Sequence, residues 1–354
     1  MKKKLIIIFP IIIAFAVFIG VYLYFNLEDS KTSLTVLERK WISNNSSQKY
    51  DFEIVNNYPV YSMDGTGVLF DFIDSFEIDT NLEFNKMSYL KENNSKTNGL
   101  RIRILNNDTN LTDNDLLIAE DGYVIVSNNT VRYNKISDIS NKTVGVFAND
   151  IGEISYYLKT ATDVTYKNYD NISDMITDLE AGTIHMIIIP QIMYLDQILM
   201  NDKYYINYYF TEMSKKLVLT LSSDNSELNN IVRKYYKKWK KDYYVSTYNE
   251  EYLKYYIIKK NINDKTKSEL LSNTYVYGYV ENAPYEVNID GVPSGIASEY
   301  ISRLKRLTNI DFIYKKYKNL DELKEAIHNQ EIDIYFNYFN LIDNGYTATT
   351  SPFI

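Results

Sequence analysis

The sequence predicts an α/β fold that occurs twice along the chain, behind a membrane-spanning helix. Three observations carry this expectation. From Ser33 onward, short β-rich runs alternate with amphipathic helical runs. A set of phrases returns at one fixed spacing, which is the mark of an internal repeat. Residues 5–25 form an apolar run without a single charge.

That run is 21 residues long and follows Met1-Lys2-Lys3-Lys4, enough to cross a hydrocarbon layer of about 30 Å as a helix. It ends Val21-Tyr22-Leu23-Tyr24-Phe25-Asn26 and offers no small-x-small cleavage site. The tyrosines suit the interfacial belt, and lysines stay on the cytoplasmic side. The expectation is an uncleaved anchor over 5–25, a cytoplasmic tail of residues 1–4, and an extracytoplasmic remainder.

The repeat begins at Tyr58-Pro59-Val60-Tyr61 and Gly65, and continues at 67–73 as Gly-Val-Leu-Phe-Asp-Phe-Ile. The second set is Ala283-Pro284-Tyr285, Gly291, and Gly-Ile-Ala-Ser-Glu-Tyr-Ile at 295–301. Gly67 and Gly295, Phe72 and Tyr300, Thr80 and Thr308, and Tyr89 and Tyr317 are all 228 residues apart. Pro59 and Pro284 are 225 apart, so the turn between them and the glycines is expected to be three residues longer in the second copy. This gives a first domain over 33–258, a polar linker over 259–272, and a second domain over 273–354 that is incomplete by the standard of the first.

Composition narrows the chemistry. A net charge of −8 argues against a general nucleic-acid binder. With no cysteine there are no disulfides, thiol nucleophiles, thiolate metal sites or lipid attachment through an N-terminal Cys. Two histidines, His185 and His328, leave little from which to build a triad or a metal centre. No catalytic residue, metal ligand or cofactor is assigned. The 35 tyrosines are spread along the chain and read as coding bias, not as a sugar-stacking surface. The basic stretch 233–241 carries its apolar residues on one helical face with Leu228, Ile231 and Val232. It is expected to be a core-facing helix with a solvated basic side.

In order and spacing these phrases resemble the type II periplasmic solute-binding proteins, which include the amino-acid-binding components of ABC transporters. That family has a first strand, a Pro-Pro-Phe-like turn, a Gly-containing hairpin and a helix starting Gly-Phe-Asp/Glu. Here these correspond to Leu34-Thr35-Val36, Tyr58–Tyr61, Gly65 and residues 67–73. A crossover strand follows at 121–126, a hydrophobic-Gly-Val phrase at 142–149, and a return strand at 216–221. The family's Leu-x-x-Gly-x-Ile-Asp junction is similar to 179–185, with His185 in place of the Asp. In the second copy Asp333 keeps that acid. The resemblance implies two lobes, about 33–120 plus 222–258 and about 124–216, with a ligand cleft between them that closes by a hinge.

The cleft positions implied are Tyr58, Tyr61, Tyr123 and Asn149 in the first copy, and Tyr285, Asn337 and Ser351 in the second. Each tyrosine can equally seal a lobe core, whereas for Asn149 and Asp150 capping the helix beginning at Ile151 is the favoured role. Amino-acid-binding members clamp a carboxylate with an Arg ahead of a Phe-Ser-x-Pro-Tyr phrase. Neither 341–346, ahead of Thr350-Ser351-Pro352-Phe353, nor Asn114-Asp115 supplies one. His185, inside the apolar run 184–190 that reads as a buried strand, is expected to be a buried core histidine, and His328 an ordinary helix-surface residue. The expected role is that of a small-polar-solute sensor region on a membrane protein, dimerisation being an option. Transport delivery and the binding part of a cell-wall enzyme are the alternatives.

Overall fold

The computed structural model describes residues 34–89, 99–199, 203–308 and 310–337. The expected anchor and tail, the 341–346 stretch and Ser351 lie outside the described residues. Among those described, no helix is long and apolar enough to cross a membrane. The described residues fall into two compact units that divide after Glu251.

The first unit opens with helix α1 (Val36–Asn45), not the strand expected at Leu34-Thr35-Val36. Thr35 is its N-cap: its hydroxyl accepts from the Glu38 N–H, and the Glu38 carboxylate takes the Thr35 N–H at 2.6 Å. This reciprocal capping box, Thr-x-x-Glu, outweighs the β-branched residues beside it. The first strand is β1 (Lys49–Val55), whose alternating burial sends Tyr50, Phe52 and Ile54 into the core.

Helix α2 (Val68–Thr80) is followed by β2 (Glu83–Tyr89), β3 (Leu100–Asn106) and the long β4 (Asp115–Ser127). Then come β5 (Thr143–Phe147), α3 (Ile151–Tyr157), β6 (Thr165–Tyr169), α4 (Ile172–Glu180), β7 (Met186–Pro190) and α5 (Leu195–Leu199). The 16-residue β8 (Tyr205–Thr220) and helix α6 (Ser226–Asp242) complete the set. The eight strands form one sheet in the order β2-β1-β3-β8-β4-β7-β5-β6. β1 lies parallel to β2 and β3, and β5 lies parallel to β6 and β7. The central pair, β4 and β8, is antiparallel and belongs to both halves.

Each half has its own core. On one side, Phe72 and Phe76 of α2 meet Trp239 and Tyr235 of α6 with ring centroids 4.9 and 5.0 Å apart. As the 3-4 spacing predicts, α6 buries Leu228, Ile231, Val232, Tyr235 and Trp239. On the other side, alternate residues of β4 serve opposite sheet faces. Tyr123 and Ile125 pack with Val144, Ile154 and Ile188, and Val124 and Val126 pack with Met175, Leu179 and Ile187.

His185 is exposed one residue before β7, so it is not the core histidine expected. Its Nδ1 accepts the Thr143 N–H at 2.9 Å, while its own N–H bonds to the Thr143 carbonyl. In the second unit Asp333 makes the same pair of bonds to Val276. The imidazole of His185 thus does as a backbone acceptor what the Asp333 carboxylate does in the second unit. His328 is exposed at the end of its helix, as expected.

Helix α7 (Tyr244–Lys259) and helix α8 (Asp264–Ser272) follow, the latter within the stretch read as a linker. The second unit then has β9 (Thr274–Val280), the hairpin β10 (Val287–Ile289) and β11 (Val292–Ser294), α9 (Ile296–Thr308), β12 (Asp311–Tyr317) and α10 (Leu320–His328). β9 and β12 pair in parallel from Thr274↔Asp311, as β1 and β2 do from Lys49↔Glu83.

The turns before the two helices carry the same hydrogen bonds. Tyr58 and Ser62 exchange backbone bonds, as do Asn282 and Glu286. The Val68 and Leu69 N–H groups bond to the Val60 and Tyr61 carbonyls, and those of Ile296 and Ala297 to the Pro284 and Tyr285 carbonyls. Pro284 therefore matches Val60, not Pro59. The second turn begins one residue sooner after its strand, and its hairpin is four residues longer. The net difference is the three residues expected from the sequence.

Candidate functional site

Polar side chains from both halves of the first unit converge where β4 and β8 cross. At that point Glu120 pairs with Lys216, Asp121 with Lys215, and Gly122 with Ser214. Register partners on adjacent strands project to the same sheet face, so Asp121 and Lys215 stand side by side.

Asp121 is 3% exposed. Its Oδ2 accepts the Tyr58 hydroxyl at 2.9 Å, from the turn after β1. From the loop after β7, the Ile192 N–H bonds to Oδ1 and the Met193 N–H to Oδ2, both at 2.8 Å. Burial outweighs these bonds, and the carboxyl sits above the usual carboxylate range. Lys215 bridges in the same sense. Its Nζ donates to Asn106 Oδ1 at the end of β3 at 2.7 Å, and to Asp150 Oδ1 at the start of α3 at 2.6 Å. The other Asp150 oxygen accepts the Tyr123 hydroxyl at 2.7 Å, and the ammonium lies 5.8 Å from the Tyr123 ring centroid. Glu153, in the first turn of α3, is pushed upward by burial, with Lys215 close enough to oppose the shift.

Aromatic groups surround this centre. Tyr58 and Tyr61 meet edge to face at 5.5 Å, and the Tyr61 and Tyr244 hydroxyls are 2.8 Å apart. Tyr248 packs on both Tyr61 and Tyr244. Tyr58, Tyr61 and Tyr123 are all held protonated well above the ordinary phenol range, first by burial and then by their acidic or phenolic neighbours. The turn that aims Tyr58 and Tyr61 contains Val60 at φ 69, a left-handed conformation that a β-branched residue adopts only under constraint.

Three of the sequence candidates, Tyr58, Tyr61 and Tyr123, therefore meet in one place. Asn149 does not join them: it is exposed in the turn before α3. Asp150 precedes α3 but makes no side-chain cap bond, because both of its oxygens face Tyr123 and Lys215. Asn114 and Asp115 support the strands instead, bonding to Arg233 and to Thr112 and Thr220 respectively. In the second unit Tyr285 is half-buried in the turn matching that of Tyr61, and Asn337 is half-buried beyond the bridge at Ile334. Sequence reasoning missed Asp121, Lys215, Asn106 and Tyr244. Asp121 and Lys215 carried a signal: an ionised group inside an apolar strand is expensive unless it has a task.

No family model and no curated protein matches the chain. Solved structures do. The B. pertussis BvgS periplasmic domain is similar at a TM-score of 0.50 and 12% identity, over 86% of this chain and 63% of that one. This chain thus spans less than two thirds of the length of that domain. The Bordetella pertussis BvgS periplasmic VFT2 domain gives 0.47 at 13% identity, over 62% of this chain and 99% of that one. The substrate binding protein of an amino acid ABC transporter gives 0.40 at 16%, over 59% and 99%. The first of these likenesses shows the fold: α/β lobes of the type II periplasmic-binding-protein kind, bridged by crossing strands.

Proposed function

We propose that the chain is the extracytoplasmic solute-binding region of a membrane-anchored sensor, with two Venus-flytrap domains in tandem. The observation that carries this reading is the crossing of β4 and β8 between two α/β halves, with polar and aromatic side chains of both halves converging there. Open α/β sheets present strand ends and helix starts at such a crossing, and a small molecule held by both halves draws them together.

The tandem reading is supported by the matched registers of β1–β2 and β9–β12, by the equivalent turns, and by a likeness that extends over 86% of the chain. The anchor reading rests on the uninterrupted apolar run of residues 5–25. The solute is small and polar. Tyrosine and asparagine side chains without an Arg clamp suit a neutral or cationic molecule better than an α-amino acid bound through its carboxylate.

Thermal shift and calorimetry of the full chain against a panel of amines, polyols and amino acids test the binding step. Saturable stabilisation by one class supports it, and a panel with no response overturns it. Reading the locus beyond codon 354 tests the role. A further membrane span leading to a cytoplasmic signalling domain fits a sensor. Adjacent permease genes without an effector transfer the protein to ABC transport.

A further inference from the structure

We propose that Lys215 is the built-in occupant of the first domain's cleft: a tethered ammonium that holds the two lobes together without solute, in a pocket whose groups otherwise take a small primary alkylammonium. The inference rests on the two-lobed reading above and deepens it: the first cleft is closed before any solute arrives, and a solute enters it only by displacing this ammonium.

The geometry is that of a bound ligand. The ammonium has one acceptor on each lobe, Asn106 and Asp150, and the Tyr123 ring beside it. Its side chain and that of Asp150 are only 11% and 7% exposed. Burying such a pair sacrifices the hydration of both charges, and fold stability alone seldom returns it. Arg101 and Glu53 form another well-shielded pair, but they join neighbouring strands β3 and β1 within one lobe. The Lys215 pair, by contrast, joins the hinge strand to the far lobe. Lys215 also fills the volume that an incoming cation would use, since an ammonium at that spot meets the same carboxylate, amide oxygen and aromatic face. Asp121 repeats the arrangement with opposite charge, fastening Tyr58 of one lobe to the Ile192 and Met193 N–H groups of the other.

The absence of cysteine allows a clean test. Spin labels at Ile78→Cys and Thr165→Cys, both exposed and one on each lobe, report lobe separation in the detergent-solubilised full chain. With Lys215 intact, one short distance is expected before any solute is added, unchanged by the solute panel. Lys215→Ala is expected to lower the closed-to-open ratio by about tenfold or more, and propylammonium, which replaces the deleted atoms, to restore it. Asp150→Asn is expected to open the domain without rescue by propylammonium, which covers the case in which the alanine variant does not fold.

The proposal is overturned if the Lys215→Ala label distance equals that of the parent, or if propylammonium leaves an opened variant open. It is also overturned if a solute closes a parent domain that was open beforehand; in that event solute binding itself stands. Conversely, calorimetry in which no solute binds the parent chain at all removes the binding reading while leaving the Lys215 clasp intact.

Discussion

Asp121 and Lys215 are register partners on β4 and β8, and each reaches both halves of the first unit. Opposite charges at the crossing do the same mechanical work on two sides, one through accepted hydrogen bonds and the other through donated ones.

Asp121→Ala leaves the Ile192 and Met193 N–H groups and the Tyr58 hydroxyl without their acceptor. Orphaned buried donors cost about 1–3 kcal/mol each at most, and partial rehydration at a hinge reduces the sum. A loss of about 2–4 kcal/mol by urea denaturation is expected, and a smaller one for Asp121→Asn, which keeps an acceptor oxygen. The pH profile adds a sign. Because burial raises the Asp121 carboxyl, its contribution is fully present below its unfolded value of about 3.9 and declines as pH rises through the raised value. The asparagine variant is expected to lack that decline; an identical profile in parent and variant excludes it.

Gly67 and Gly295 hold φ of 117 and 103, and a Cβ there would stand 2.6 and 2.5 Å from the Tyr61 and Tyr285 carbonyl oxygens. Those carbonyls accept the first helical N–H groups, so they cannot retreat without loss. Either Gly→Ala change is expected to cost about 2–4 kcal/mol. Gly67→Ala should lower the unfolding transition of the first unit, and Gly295→Ala that of the second.

Asp178 is held at about 2 by Lys167 first and by the Tyr169 hydroxyl second. A depressed acid contributes stability above its unfolded value, and that contribution is lost as pH falls through the folded one. A carboxyl titration followed by NMR should place its midpoint near 2, and Lys167→Met should bring the midpoint back toward the ordinary range. A midpoint near 4 in the parent rules the pairing out in solution.

The Tyr61 and Tyr244 hydroxyls bond to each other. Tyr61→Phe and Tyr244→Phe are each expected to cost about 0.5–1.5 kcal/mol, with the double variant costing little more than either alone. Additive losses in the cycle mean that the two hydroxyls do not interact.

Much of the architecture was legible because it is written in local spacing. The repeated phrases pointed to a helix and a following strand at two places, where α2 and β2, and α9 and β12, lie, and the apolar face of α6 was visible as a 3-4 pattern. The first strand was misplaced because the resemblance alone put it at Leu34-Thr35-Val36, although Thr35-x-x-Glu38 announces a helix start. His185 was read as buried because the apolar run starts at Ile184, two residues before the strand itself begins at Met186. The site was harder. Tyr58, Tyr61 and Tyr123 could be placed through the phrases around them. By contrast, Lys215 and Asp150 are 65 residues apart, and no periodicity encodes which distant charge a strand lysine will meet.

The ladder between β4 and β8 slips in three places, at Leu117/Ala119, Gly122/Val124 and Ile125/Val126. Each slip interrupts the row of rungs and adds local twist. Because the middle slip adjoins the Asp121↔Lys215 pair, the sheet has a built-in axis of torsion at the clasp, and amide deuteration should begin there and spread outward into two slowly exchanging panels.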